Sequence, residues 1–189
     1  MKKILIIGSN FGAKAYLKSV KILYKKASID IVSPNINKKK ISYKYLKKFN
    51  NYKNLLNENY NMVICATKPR VQSDFINNYL KKKNVQSRIM VEKPLSNNFL
   101  QIFKTLRLIE KKKIIFNMNF IFPKINIWKK FFLLIKRNRL KIVNYSWHFK
   151  QEYFNNKIKT WKTNKNEGGG ILLYYLPHVI FNILNIDKN

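Results

Sequence analysis

The chain has 189 residues, 39 of them Lys or Arg against 8 Asp or Glu, for a formal net charge of +31. Its one cysteine, Cys65, argues against a disulfide framework or a cysteine-based metal site, and its two histidines lie too far apart in sequence to suggest a zinc centre. The lysines are spread through every segment, arginine is scarce, and no recognisable binding module surrounds the tryptophans, so no specific nucleic-acid partner is expected.

Met1-Lys2-Lys3 leads into four apolar residues that stop at Gly8, which is not the pattern of a signal peptide. No later segment reads as ~18 uncharged apolar residues, so membrane insertion is not expected and a cytoplasmic location is. Residues 3–8 are continuously apolar, as in a strand buried on both faces of a parallel sheet. Gly8-Ser9-Asn10-Phe11-Gly12-Ala13 follows, then a helix to about residue 24. A strand, a glycine-bearing turn and a helix form the context in which helix amides hold a pyrophosphate. Asn10 stands where the usual dinucleotide fingerprint has its second glycine, so this loop alone fits a cofactor turn and an ordinary strand–helix turn equally well.

Residues 28–33 read as the second strand, closed by Pro34. NAD-binding sites often keep an acidic residue near this strand end. Here the end is Ser33, with Lys38, Lys39 and Lys40 after it, and Asp30 lies too early in the strand. Such an end would tolerate the 2′-phosphate of NADP. Residues 41–49 and 53–58 read as short helical pieces. Strands are expected over 61–66, 86–92 and 113–119, and helices over 71–83 and from an N-cap at Ser96 to 111. The strand at 86–92 ends in Glu92-Lys93-Pro94, where proline stops sheet pairing. A charged pair at the carboxyl end of a strand is where an open parallel sheet places ligand chemistry. Lys93 is therefore the first candidate site residue, and Glu92 is expected to fix local structure.

Beyond Pro123 the pattern changes. A helix is expected over 125–137, an alternating strand over 140–149, an irregular excursion over 151–165 containing Trp161, and a helix over 171–184 entered through Gly168-Gly169-Gly170. His148 is expected to pack or to face solvent. The fold class is thus α/β: a Rossmann-type doubly wound parallel sheet over 1–120, then an incomplete α/β (α+β) second domain over 121–189. One strand and two helices make no sizeable core. A homo-oligomer or a companion chain is expected to complete it.

Three segments carry a resemblance to a known family. They are Gly8-Ser9-Asn10-Phe11-Gly12-Ala13; Glu92-Lys93-Pro94 preceded by Val63-Ile64-Cys65-Ala66-Thr67; and Trp161 followed by Gly168-Gly169-Gly170-Ile171-Leu172 and His178. In this order the chain resembles the glucose-fructose oxidoreductase / inositol dehydrogenase (Gfo/Idh/MocA) family. The resemblance implies hydride transfer between NAD or NADP and a hydroxyl-bearing carbon of a sugar, nucleotide sugar or cyclitol. It implies a cofactor site of Gly8, Asn10, Phe11, Gly12, Ser33, Ala66, Thr67, Glu92 and Lys93. It implies Lys93 beside the nicotinamide and the substrate oxygen, His178 as the acid/base, Asn119 and Trp161 lining the substrate site, and no metal.

The departures are specific. Tyr174 stands where the family pattern has an aspartate four positions before the histidine, one helical turn away, and supplies a hydroxyl or an aromatic packing surface instead. Phe181 stands where an acidic residue often follows, Gln72 where a histidine is common, and Lys68 is inserted between Thr67 and Pro69. Most of the family's second sheet is absent. These losses favour an alternative, a degenerate or truncated member acting as a binding or assembly protein.

Overall fold

Six strands make one sheet: β1 (Lys3–Ile7), β2 (Ser28–Val32), β3 (Leu46–Phe49), β4 (Met62–Cys65), β5 (Arg88–Glu92) and β6 (Phe116–Asn119), in the order β3-β2-β1-β4-β5-β6. The computed structural model describes residues 1–38, 40–138, 142, 144, 146–148 and 152–187, which fall into two compact units, Met1–Met118 and Asn119–Asn189. Every register resolved between neighbouring strands from β3 to β5 is parallel. The order reverses between β1 and β4, the switch point of a doubly wound sheet.

The apolar runs of the strands are explained by two-sided burial. Along β1, Ile4 and Ile6 face one core cluster with Leu17, Val20, Ile29 and Ile31, while Leu5 and Ile7 face another with Val63, Cys65, Phe75 and Ile89. Helix α1 opens with a π-helical turn, Gly12–Tyr16, and continues as Leu17–Leu23, contributing Tyr16, Leu17 and Val20 to the first cluster. Helix α2 (Pro69–Tyr79) contributes Phe75, Ile76 and Tyr79 to the second, and α3 (Phe99–Lys111) contributes Ile109.

Several expectations are corrected. Leu46–Phe49 is a strand, not part of a helical piece, because Ile29–Val32 offers it a parallel partner; a short 3-10 turn, Lys53–Leu55, replaces the second piece. Helix α2 begins at Pro69 and ends near Leu80, because proline suits a first helical position and the last polar residues do not extend the apolar face. The N-cap of α3 is Asn98, whose Oδ1 accepts from the Gln101 amide at 3.3 Å, while Ser96 is buried and bonds Ser73 Oγ at 3.0 Å.

In the second unit, a 3-10 turn (Phe122–Lys124) precedes helix α4 (Asn126–Asn138), followed by a single turn, α5 (Glu152–Asn155). The stretch expected to be irregular also holds 3-10 turns Trp161–Thr163 and Lys165–Glu167, the first closed by a reciprocal cap of Thr160 and Thr163. Helix α6 opens with a π-helical turn, Ile171–Tyr175, and continues as Leu176–Asp187. The strand expected over 140–149 falls largely outside the described residues, as do Lys39 and Gln151.

The expectation about membrane-spanning length is also corrected. Residues 168–186 carry no Asp, Glu, Lys or Arg, and Lys165–Ile186 is long and apolar enough by length and composition to cross a membrane. His178, Asn182 and Asn185 interrupt the apolar run but contribute no formal charge with His neutral.

Candidate functional site

Because β1, β2, β4 and β5 run parallel, the residues that follow them share one edge of the sheet. Those residues are Gly8 and Ser9 after β1, Ser33 after β2, Ala66 and Thr67 after β4, and Lys93 after β5. The edge is built for close approach. Gly8 has φ +110°, and a Cβ there would meet the Ala66 carbonyl oxygen at 2.1 Å, so only glycine fits. A Cβ on Gly12 would lie 3.1 Å from Ile6 Cγ2 and 3.7 Å from the Ala66 methyl, which seats the first turn of α1 directly on β1 and β4. The Asn10 carbonyl accepts from the Lys14 amide at 3.0 Å as α1 begins. Asn10 and Phe11 are exposed, and the Phe11 ring stands edge-on to Tyr16 at 5.5 Å. A bare cradle over a helix start fits a pyrophosphate, since the first helix amides have no partner within the helix.

The Glu92-Lys93-Pro94 turn is held from two sides. The Tyr16 hydroxyl, on the first turn of α1, donates to Glu92 Oε1. From α2, Gln72 Nε2 donates to the carbonyls of Glu92 at 2.7 Å, Pro94 at 2.8 Å and Leu95 at 3.2 Å. Gln72 is fully buried. Lys93 itself is only 8% exposed, the one buried lysine among the described residues. Burying an ammonium is costly unless polar groups meet it, so this lysine is not another solvated surface charge. The Lys93–Pro94 peptide is cis.

The second unit arranges its own candidates. Gly168 and Gly170 have positive φ, and a Cβ on Gly169 would meet the Trp161 carbonyl oxygen at 2.2 Å, so the glycine turn packs under the Trp161 turn. Tyr174 stands edge-on to Trp161 at 5.5 Å and beneath the Lys162 ammonium, which lies 5.4 Å from its ring centre. Burial disfavours the charge on Lys162, but the phenols of Tyr174 and Tyr153 outweigh it and raise its pKa. His178, one turn beyond Tyr174, is half-buried among aromatic rings: edge-on to Phe122 at 4.9 Å and Phe120 at 5.9 Å, parallel to Trp147 at 6.3 Å. Phe181 stacks on Phe120 at 4.0 Å. Asn119 closes β6. His148 is exposed, with Nε2 2.8 Å from Ser146 Oγ.

Sequence reading did not single out Ser9 and Tyr16, and it noted Gln72 only as a departure. Ser9 Oγ donates to Ser33 Oγ at 2.8 Å, and Tyr16 reaches a residue 76 positions away. No local pattern marks such partners. Among the described residues, no group of three or more His, Cys, Asp or Glu could hold a metal ion.

Residues 2–120 match the family described as oxidoreductase family, NAD-binding Rossmann fold (Gfo/Idh/MocA). No curated protein matches the sequence. Among solved structures, myo-inositol 2-dehydrogenase from Lactobacillus plantarum is similar, with TM-score 0.78 and 13% identity over 98% of this chain and 56% of that one. The WlbA dehydrogenase from Chromobacterium violaceum, in complex with NADH and UDP-GlcNAcA, gives 0.76 and 13% over 98% and 55%. Scyllo-inositol dehydrogenase from Lactobacillus casei, with bound NAD(H) and scyllo-inositol, gives 0.76 and 16% over 98% and 56%. At these identities the likeness is one of fold, and the chain spans little more than half the length of these structures.

Proposed function

The chain belongs to the Gfo/Idh/MocA oxidoreductase family, whose Rossmann fold binds NAD, and on that premise we propose that it transfers a hydride between a nicotinamide cofactor and a hydroxyl-bearing carbon of a sugar, nucleotide sugar or cyclitol. The observation that carries the reading is the burial of Lys93 in a turn fixed by Tyr16 and Gln72, on the same sheet edge as the Gly8 cradle. The dehydrogenases of similar fold that hold UDP-GlcNAcA or scyllo-inositol support the substrate class.

When bound, the cofactor supplies or accepts the hydride. Gly8, Gly12 and the start of α1 would hold its pyrophosphate, and Asn10, Phe11, Ser33, Ala66, Thr67 and Glu92 would line the rest of the cofactor site. Lys93 directs positive charge at the substrate oxygen and stabilises the charge that develops there as the carbon changes oxidation state. His178 takes the hydroxyl proton at an imidazole nitrogen in the oxidative direction and returns it in the reductive one. Tyr174 orients that exchange from one turn away, and Trp161 and Asn119 line the substrate. A homo-oligomer or a companion chain completes the second unit in this reading.

One observation favours a second reading. Where the family resemblance expects acidic groups near the histidine, this helix carries Tyr174 and Phe181, and both pack against rings. A member without turnover, acting in binding or assembly, follows from that. Absorbance of reduced nicotinamide, followed with UDP-GlcNAcA, other UDP-sugars and inositols, separates the two. Turnover, lost in Lys93→Ala and lowered about 10²–10⁴-fold in His178→Ala, is the expected result. Cofactor binding with no turnover across the panel would select the second reading.

A further inference from the structure

We propose that this chain selects the 2′-phosphorylated cofactor, NADP(H), and that the end of β2 is where it does so; the inference rests on the cofactor reading above. An NAD site of this fold uses a carboxylate after β2 to accept hydrogen bonds from the adenosine ribose, and that carboxylate repels a 2′-phosphate. Here none is in place. Asp30 is the only acidic residue of β2, but it is 2% exposed and accepts from the Tyr60 hydroxyl at 2.7 Å, inside the core. It precedes Ser33 by three positions, and from residue 31 to residue 57 the sequence contains no Asp or Glu.

What stands there is a donor set. Ser9 Oγ donates to Ser33 Oγ at 2.8 Å, so the Ser33 oxygen is used as an acceptor and its own proton is not spent on Ser9. The Ser33 amide donates to the Phe49 carbonyl at 3.0 Å, which fixes the residue at the sheet edge. Buried Ile36 then anchors a 3-10 turn, Ile36–Lys38, that begins three residues beyond Ser33 and ends in an exposed lysine. Lys40, also exposed, follows. A hydroxyl able to donate, two exposed ammonium groups within seven residues and no carboxylate in the crossover suit a phosphate dianion and give a ribose hydroxyl no acidic acceptor.

The test is equilibrium binding to the full chain, read by nicotinamide fluorescence, with 2′,5′-ADP and 5′-ADP as competing probes. NADPH is expected to bind at least about tenfold tighter than NADH, about 1.4 kcal/mol. 2′,5′-ADP should compete better than 5′-ADP, and the preference should shrink as salt rises. Ser33→Asp keeps an acceptor for Ser9 but places a carboxylate at the strand end. It should weaken NADPH about tenfold or more and, by giving the adenosine ribose an acidic acceptor, abolish or reverse the preference between the two cofactors. Lys38→Ala with Lys40→Ala, both exposed and so safe for folding, should narrow the preference severalfold. NADH binding as tight as NADPH, or a preference that none of these substitutions moves, overturns the inference and leaves the family reading standing. Binding of neither cofactor by folded protein overturns both.

Discussion

Two residues at the sheet edge carry most of the site's geometry, and each makes a sharp prediction. Gly8 combines φ +110° with a neighbouring carbonyl oxygen 2.1 Å from where a Cβ would sit. Gly8→Ala must strain the backbone and push β1 away from the turn after β4. A loss of about 1–3 kcal/mol or more in urea unfolding is expected, together with loss of cofactor binding. A stable, binding-competent Gly8→Ala variant would contradict the close approach. Gln72 Nε2 shares two N–H donors among three carbonyls of one turn. Gln72→Leu keeps the volume but removes every donor, so about 1–3 kcal/mol is expected to be lost in the same measurement. An unchanged unfolding midpoint would show that those bonds contribute nothing net. The special role of Gly8 was legible in the sequence because a glycine ending an apolar strand has few other reasons to be there. The role of Gln72 was not, because its acceptors lie 20 to 23 positions away and come together only through the sheet.

At the scale of elements, the buried strands read clearly and the edges did not. β1, β2, β4 and β5 announce themselves by apolar runs because both faces are covered, and β4 illustrates the consequence. Its Cys65 is fully buried, and burial pushes the thiol pKa far above its ordinary value. The thiol should therefore react with an aromatic disulfide reagent only as fast as the sheet opens, and at the free-thiol rate once urea unfolds the chain. Fast native-state labelling would contradict a closed core at β4. β3, by contrast, reads Leu46-Lys47-Lys48-Phe49, and its lysines are exposed. An edge strand carries charge to block further pairing, and that charge hides its strand character from any pattern search. The start of α3 was misread for a similar reason. Ser96 and Asn98 are both good caps, and the choice between them is made by Ser73, which engages Ser96 from another helix. The strand order was not legible either, since register between β1 and β4 depends on contacts some 58 residues apart.

Across the whole molecule, the charge of +31 acts on both stability and binding. The ion pairs Lys3–Glu58 at 2.6 Å and Arg70–Asp74 at 3.9 Å are exposed and contribute little. Self-repulsion among the lysines is therefore largely uncompensated, and shortening the screening length from about 10 Å at 0.1 M salt to about 3 Å at 1 M should relieve it. The melting temperature is expected to rise with sodium chloride over that range; a flat or falling value would mean the charges are spaced widely enough not to matter. The fold of the first unit was recognisable from its strand pattern and two short motifs, because a cradle and a buried turn need particular residues at particular places. The activity of the whole was less legible, because Tyr174 and Phe181 replace the groups that would announce it. The most direct measurement is a fluorescence titration of the folded chain with NADPH and NADH, with Lys93→Ala beside it. Saturable binding of a reduced cofactor, weakened severalfold by the substitution, is the predicted result. No saturation with either cofactor would contradict the account at its centre.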